Sequence, residues 1–361
     1  MMQSPAIRRR RTRKVAVGPV DIGGGSPVSV QSMTNTDTRD VRATVAQIRQ
    51  LAKAGCEIVR LAVPDAEAAR ALKRIRGLTI MPLVADIHFD HRLALAALKA
   101  GADKLRINPG NIGSVQKVRE VVKAARDRNV PIRIGVNAGS LERNILVKHG
   151  RPTAAGMVES ALGHVGILER TGFHDIVVSL KGSDVPMTIA ACRLFSKRSG
   201  YPMHLGITEA GTVFSGALRS AVGIGALLAG GIGDTVRVSL AGDPAEEVRA
   251  ARIILQSLGL RRFGPTVIAC PTCGRCRVDV AGIADAVERG LSRLSFPLTV
   301  AVMGCAVNGP GEAREADLGM AGGNREGLLF MKGRIVGRVP EAEMADRLIY
   351  EAYRLAGCRQ P

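Results

Sequence analysis

The sequence has no tryptophan, three tyrosines and seven phenylalanines. Proteins that hold single-stranded nucleic acid stack bases on aromatic rings, so this scarcity argues against a nucleic-acid partner despite the basic charge. The uncharged, glycine-rich stretch from Ser220 to Gly233 runs for fourteen residues. A bilayer span needs roughly 20, so no membrane protein is expected. Acidic residues are the minority, 32 against 51 Lys+Arg, giving a formal charge of +19. None lies among the first fourteen residues, where Arg8, Arg9, Arg10, Arg11, Arg13 and Lys14 crowd together. No apolar h-region follows, so this start does not read as a secretory signal. Seven cysteines are an odd count in a long chain without an export signal. The expected compartment is therefore the reducing cytoplasm, where clustered thiols indicate metal or redox chemistry before disulfides.

What is present is globular. With 46% hydrophobic and 23% charged residues over 361 positions, the chain can bury a sizeable core. Residues 1–16 read as a disordered basic arm, 17–260 as one large domain and 261–361 as a smaller one. Apolar runs rich in valine and isoleucine recur through the large domain: VSVQSMT from Val28, EIVRLAV from Glu57, MPLVADI from Met81, KLRINPG from Lys104, PIRIGVN from Pro131, DIVVSLK from Asp175, MHLGITEA from Met203 and TVRVSLA from Thr235. A helical pattern follows each. In 153–171, Val158, Ala161, Leu162, Val165 and Leu168 share one face. After the last run, Asp243 is an N-cap, Pro244 stands at N1, Glu246 at N3, and Gly259 is the stop. Eight strands alternating with eight helices predict an α/β fold, a (β/α)8 TIM barrel.

Barrel active sites lie at the C-terminal ends of the strands. Those ends carry Asn35, Arg60, Asp86 and His88, Arg106 and Asn108, Arg133 and Asn137, Lys181, His204 and Glu209, Arg237 and Ser239. Five of the eight strands thus place a cation in or at the end of an apolar run. Converging cations suit a highly charged anion, and arginine grips phosphate oxygens with paired N–H groups. A diphosphate-bearing small molecule is the expected substrate. The stretch 138–153, with Arg143, Asn144, Lys148 and His149, is longer than an ordinary strand-to-helix loop and reads either as a lid or as a surface loop.

Beyond Arg261-Arg262 the pattern changes to a compact α+β unit. A strand ends in Cys270-Pro-Thr-Cys273-Gly-Arg-Cys276, a helix follows from about Val280, and the strand LTVAVMG ends at Cys305. A glycine-rich loop, AVNGPGEAREADLGMAGGN, and the hairpin GLLFMKGRIVGRV precede a last helix. This thiol spacing is that of a metal site. Iron–sulfur, a structural zinc on Cys270, Cys273, Cys276 and Cys305, and reduced thiols without metal all remain open from spacing alone.

Seven motifs occur together and in order: VQSMTNTDT (30–38), LRINPGNIG (105–113), IRIGVNAGSL (132–141), GITEAG (206–211), GIGALLAGGIGDTVRVSLAGDP (223–244), CPTCGR (270–275) and GCAVNGPGEA (304–313). In these the chain closely resembles the bacterial (E)-4-hydroxy-3-methylbut-2-enyl diphosphate synthase family of the non-mevalonate isoprenoid pathway. The resemblance runs from about Val17 to the last helix. It implies reductive ring opening and dehydration of 2-C-methyl-D-erythritol 2,4-cyclodiphosphate, with two electrons delivered singly by flavodoxin or ferredoxin through a [4Fe–4S] cluster. The second domain becomes an iron–sulfur domain, with Cys270, Cys273, Cys305 and, unusually, Glu312 as ligands. Cys276 departs from the family pattern and is expected to be a bystander. The resemblance further implies that Arg60, Arg106, Arg133, Lys181, Arg237 and Ser239 hold the diphosphate, assisted by Asn108 and Asn137. Glu209 is expected to handle a proton near the leaving oxygen, with His88 and His204 as helpers. It also implies a homodimer whose active site is shared between subunits. Two other readings compete: a non-redox phosphate- or pterin-handling barrel synthase with a structural zinc appendage, and an RNA-binding module.

Overall fold

The structure is a computed structural model that describes residues 7–108, 112, 114–305, 311 and 315–359. It divides into two compact units at the Arg261/Arg262 junction.

The first unit begins with a hairpin, β1 (Val15–Val17) and β2 (Val20–Ile22), paired antiparallel. Eight parallel strands follow: β3 (Ser29–Met33), β4 (Ile58–Ala62), β5 (Leu83–Asp86), β6 (Lys104–Ile107), β7 (Ile132–Asn137), β8 (Ile176–Lys181), β9 (His204–Leu205) and β10 (Thr235–Val236). They hydrogen-bond in the order β8-β7-β6-β5-β4-β3-β10-β9. A parallel bridge between Val178 and Met203 joins the two end strands and closes the barrel. Each strand is followed by a helix: α1 (Val41–Ala54), α2 (Ala66–Arg76), α3 (His91–Lys99), α4 (Val115–Arg126), then a short α5 (Arg143–His149) before α6 (Ala154–Glu169), and α7 (Val185–Arg198), α8 (Val213–Ala229) and α9 (Pro244–Ser257). The predicted (β/α)8 barrel is what the chain forms.

The helices start where the sequence supplies a side-chain acceptor. Asp40, Asp65, Asp90, Ser114, Thr153, Asp184 and Asp243 each accept a hydrogen bond from a backbone N–H of the first turn, satisfying groups the helix leaves orphaned. Along the strands, side chains alternate between faces. The outer face of the barrel wall buries Val59, Leu61, Leu83, Leu105, Ile132 and Ile134 under the helices. On the interior, Ile58, Val84 and Val177 meet Val15, Val17 and Ile22 of the β1–β2 hairpin in one cluster. The hairpin therefore plugs the end of the barrel where strands begin. Each of these side chains is at most 1% exposed, and each contributes roughly 1.5–3 kcal/mol by leaving water.

Two expectations differ from the outcome. The basic arm is not disordered over its described part. Arg9 bonds Asp234 at 3.1 Å and Ser26 O at 2.5 Å, and Thr12 Oγ1 donates to Asp234 at 2.9 Å. Arg10 donates to the carbonyl of Ser196 in the last turn of α7 and to those of Ser199 and Tyr201 beyond it. Two of the arm's arginines are thus counter-ion or cap, a role that charge counting does not reveal. Secondly, β9 and β10 keep only two residues of ladder each. Past β10, Leu240 N turns to a side chain, Glu247 Oε1 at 3.1 Å, in place of a neighbouring strand.

The second unit is a five-stranded sheet in the order β11 (Thr266–Ala269), β12 (Thr299–Met303), β13 (Leu318–Gly322), β14 (Glu326–Met331) and β15 (Arg334–Pro340). The first three strands run parallel and the last two pairings are antiparallel. The predicted hairpin turns on Lys332 and Gly333, both at positive φ, as a two-residue turn between twisted strands requires. Helices α10 (Val280–Leu291) and α11 (Met344–Leu355) cover one face. Val280, Ile283, Val287 and Leu291 pack there with Val300, Leu318, Leu348 and Ile349. The helices approach so closely that a Cβ on Gly290 would lie 2.4 Å from Ile349 Cδ1. No helix among the described residues is long and apolar enough to cross a membrane.

Candidate active site

Strand alternation brings the predicted cations onto the barrel interior. Arg60 of β4, Arg106 of β6, Arg133 of β7 and Lys181 of β8 stand there, with Arg237 just past β10. Lys104, two residues before Arg106, faces the same way and is fully buried. Arg133 is 1% exposed, Lys181 5% and Arg106 7%. The carboxylates among them are Asp86 and Glu247. Among the described residues, six interior cations therefore face two acids, a formal excess of four positive charges.

Asp86 is the first hub. Its Oδ1 accepts from Arg106 Nη1 at 3.2 Å, its Oδ2 meets His88 Nε2 at 3.3 Å, and Arg60 Nε lies 3.9 Å away. Burial alone would raise this carboxyl. The charges of Arg60, Arg106 and His88, with the His88 hydrogen bond, outweigh it and hold Asp86 well below the ordinary carboxylate range. Burial pulls Arg60 down to about 10, against the opposing charge of Asp86. Met33 Sδ lies 2.9 Å from Arg60 Nε and 2.8 Å from Nη2. Glu247 is the second hub and holds Arg237 in a two-pronged pair.

The remaining cations lack a carboxylate of their own. Among the described residues, Lys104 has Gln31 Oε1 as its hydrogen-bond partner, at 3.4 Å. Nε and Nη1 of Arg133 have no partner in the structure. Burial, reinforced by neighbouring cations, pushes Arg133, Lys104 and Lys181 well below their ordinary values. Buried charge without partners is costly, and unsatisfied buried donors point to an absent ligand, ion or water. The interior is built to be completed by an anion. Two glycines make room for these side chains: a Cβ on Gly135 would fall 2.7 Å from Arg106 Nε, and one on Gly206 would fall 2.5 Å from Lys181 Nζ.

The other predicted residues are placed as follows. Asn108 is buried and Asn137 half-buried, the latter in register with Lys181 across β7 and β8. Ser239 is half-buried beyond β10. His88 is half in solvent, against Asp86 and 3.1 Å from Arg106 Nη1. His204 is fully buried and both its ring nitrogens are unpartnered. Burial and the charges of Lys181, Arg133, Lys104 and Arg60 hold its pKa far below the ordinary value, so it stays a neutral imidazole. Glu209 is exposed, with φ at 54°, in the left-handed region that non-glycine residues occupy at a cost. Asn35 is tied to Gln47 of α1. The 138–153 stretch holds α5, and Lys148 and His149 both bind Glu159 of α6. The sequence reading missed Glu247 and the anchoring role of Asp86. A signal existed for Glu247: it falls on the buried face of α9 with Val248, Ala251 and Leu255, where a charge requires a partner.

In the second unit, Cys270 and Cys305 lie just past the C-terminal ends of the adjacent parallel strands β11 and β12. Gly304 N–H donates to Cys270 Sγ at 3.1 Å. Cys273 is exposed. The Arg275 backbone N–H and its side chain lower the Cys273 thiol below the ordinary value, which favours the thiolate a metal needs. Cys276 differs. Its Sγ donates to Val278 O at 3.3 Å and lies where a Cβ on Gly304 would come within 2.2 Å. It packs at the edge of the core, as does Cys270. Glu312 lies outside the described residues. Among the described residues no three of His, Cys, Asp and Glu gather closely enough to hold a metal ion. The donor set of Cys270, Cys273 and Cys305, with backbone N–H groups directed at two of the sulfurs, is chemically suited to iron–sulfur ligation.

A closed barrel with a cation-lined mouth, followed by a thiol-bearing α+β domain, defines a two-domain TIM-barrel enzyme. Residues 12–252 match the GcpE TIM-barrel domain and residues 266–354 the GcpE protein C-terminal domain. The chain belongs to the GcpE family. A relative from Geobacter sulfurreducens is 61% identical over 347 residues, covering 96% of this chain and 98% of that protein. One from Bacillus subtilis is 57% identical over 356 residues, covering 99% and 94%. Both are named 4-hydroxy-3-methylbut-2-en-1-yl diphosphate synthase (flavodoxin). Among solved structures, a Yersinia pestis dihydropteroate synthase superposes with a TM-score of 0.50 at 10% identity, covering 68% of this chain and all of that one. That likeness is one of barrel fold.

Proposed function

We propose that this protein opens the ring of 2-C-methyl-D-erythritol 2,4-cyclodiphosphate reductively, with loss of water, to give (E)-4-hydroxy-3-methylbut-2-enyl diphosphate for isoprenoid synthesis. The observation that carries this is the interior of the barrel, where six cations face two carboxylates. A cyclic diphosphate brings the missing negative charge. Arg60, Arg106, Arg133, Lys181 and Arg237 bind it, and Ser239, Asn108 and Asn137 supply neutral hydrogen bonds. Arg106 and Arg60 are oriented by Asp86, and the apolar outer wall excludes water from the buried part of the site.

Cleaving the C–O bond needs a proton at the departing oxygen. Two groups can hold one. Glu209 stands exposed beyond β9. His88 Nε2 faces Asp86 at 3.3 Å. His204, neutral and buried, does not carry the proton. Cys270, Cys273 and Cys305 would hold a [4Fe–4S] cluster, with Glu312 as the fourth ligand and Cys276 outside the set. When bound, that cluster supplies electrons one at a time from flavodoxin or ferredoxin. The active form is a homodimer with the site shared between subunits, and its place is the cytoplasm.

The deciding experiment is iron, zinc and acid-labile sulfide on anaerobically purified protein, followed by turnover of the cyclodiphosphate with a one-electron donor. About four irons and four sulfides per chain, with product formed, are expected. Stoichiometric zinc without sulfide overturns the redox reading. Loss of the cluster in Cys276→Ser with its retention in Glu312→Ala overturns the ligand set. A cluster-dead subunit and a barrel-dead subunit should complement in a mixed dimer; a silent heterodimer removes the shared site.

A further inference from the structure

Glu247 enters the barrel site from a helix, not from a strand. It lies one turn into α9, 3% exposed, on the face that packs inward. Four donors surround its two oxygens. Oε2 accepts from Arg237 Nε at 3.1 Å and from Ser32 Oγ at 2.9 Å. Oε1 accepts from Arg237 Nη2 at 3.0 Å and from Leu240 N at 3.1 Å. A carboxylate has about four acceptor directions, and all are in use, so Glu247 has none left for a ligand. Its effect on a ligand must pass through the groups it holds.

We infer that Glu247 is a positioning residue that locks the guanidinium of Arg237 and the 237–240 segment so that Arg237 faces the bound diphosphate, a role that rests on the proposed binding site. The fork uses the Nε and Nη2 edge of Arg237. Nη1 makes no hydrogen bond to a described residue and remains available for an anion. The Arg237 charge acts on Arg60, Arg133 and Lys181, so that free edge belongs to the same charged interior. Ser239 sits between the two anchored positions, Arg237 and Leu240, and is fixed with them. Arg133 is the contrast, since no carboxylate braces it and two of its nitrogens are unpartnered.

The two possible roles of Glu247 predict opposite signs. As a mere neutraliser, it weakens anion binding, and Glu247→Gln would bind the cyclodiphosphate more tightly. As a positioner it strengthens binding, and Glu247→Gln binds more weakly although the site has become more positive. The experiment is calorimetric titration of cyclodiphosphate into the anaerobic, cluster-loaded protein without reductant, for wild type, Glu247→Gln, Glu247→Asp, Arg237→Ala and Glu247→Gln/Arg237→Ala. Glu247→Gln and Arg237→Ala should each weaken binding about tenfold or more, the loss of a charge-assisted contact. The double variant should lose less than the sum of the two single losses, because the two residues share the Arg237 contact and Glu247 acts beyond it through the 239–240 segment. Glu247→Asp keeps the charge but withdraws it by one methylene, so it should also lose affinity, and it decides the matter should the glutamine variant fail to fold. Unchanged or tighter binding in Glu247→Gln, full affinity in Glu247→Asp, or additive losses in the double variant would overturn the inference. Failure of wild type to bind, or full affinity in Arg237→Ala, would instead remove the proposed binding site itself.

Discussion

Replacing Asp86 with asparagine keeps the side-chain shape and removes the charge shared by Arg60, Arg106 and His88. Asp86 is 5% exposed and its partner Arg106 7%, so the 3.2 Å pair between them is a buried one. Breaking a buried pair by removing one partner costs about 3–5 kcal/mol, because the other charge is left uncompensated. Here the penalty is aggravated, since the interior already carries an excess of cations. For a unit of this size, each kcal/mol moves the melting temperature by about 2–4 °C, so Asp86→Asn should melt about 6–20 °C below wild type. The assay is thermal denaturation followed by circular dichroism, without substrate, at several pH values. The sign of the pH dependence follows from the depressed Asp86 carboxyl. Its ordinary value is 3.8 and its folded value lies far lower. The stability it contributes is complete above about pH 4 and is lost only as pH falls through the folded value. The gap between wild type and variant should therefore stay constant between pH 5 and 8. A gap below about 1 kcal/mol, small against the usual cost of an unpaired buried charge, or one that closes on moving from pH 8 to 5, refutes the role given to Asp86.

Three further outcomes are expected. Binding the cyclodiphosphate should shift the titration of Lys104 and Lys181 upward, because an anion favours their charged forms, which burial pushes down in its absence; affinity measured as pH is raised tests this, and an affinity that does not fall with rising pH contradicts it. Gly135→Ala should fold and lose affinity for the cyclodiphosphate, since its Cβ would displace Arg106; unaltered binding would show that the Arg106 position is immaterial. Arg10→Ala should cost about 1–3 kcal/mol by removing the donor to three partly buried carbonyls, read as a lower melting temperature; an unshifted melt would mean that the contacts at the end of α7 contribute nothing.

Much of the barrel was legible in the residues themselves. The eight apolar runs, their spacing and the aspartate, serine and threonine caps are local features, and a strand's alternation settles which side chains share a face. That is why Arg60, Arg106, Arg133 and Lys181 could be assigned to one site from sequence. The failures are equally specific. The Arg9–Asp234 pair joins positions 225 residues apart, and no charge count distinguishes it from a solvated arm. Burial makes His204 neutral, whereas the sequence alone places it among the strand-end residues that help with the proton. Cys276 has the spacing of a ligand, and only the structure shows that its Sγ turns to the Val278 carbonyl while the Cys270 Sγ accepts from Gly304 N–H.

The sequence by itself determined the architecture, the number of strands, the cations on the barrel's inner face and the thiols on the second domain, because these depend on periodicity and residue type within a few positions. The tertiary structure alone decided which charges are paired. Glu247 reaches Ser32 across 215 residues of chain, and Asp86 rather than another acid stands between Arg60 and Arg106. Charge partnership and burial are properties of the assembled interior, where many distant residues together exclude water, and no local pattern encodes them.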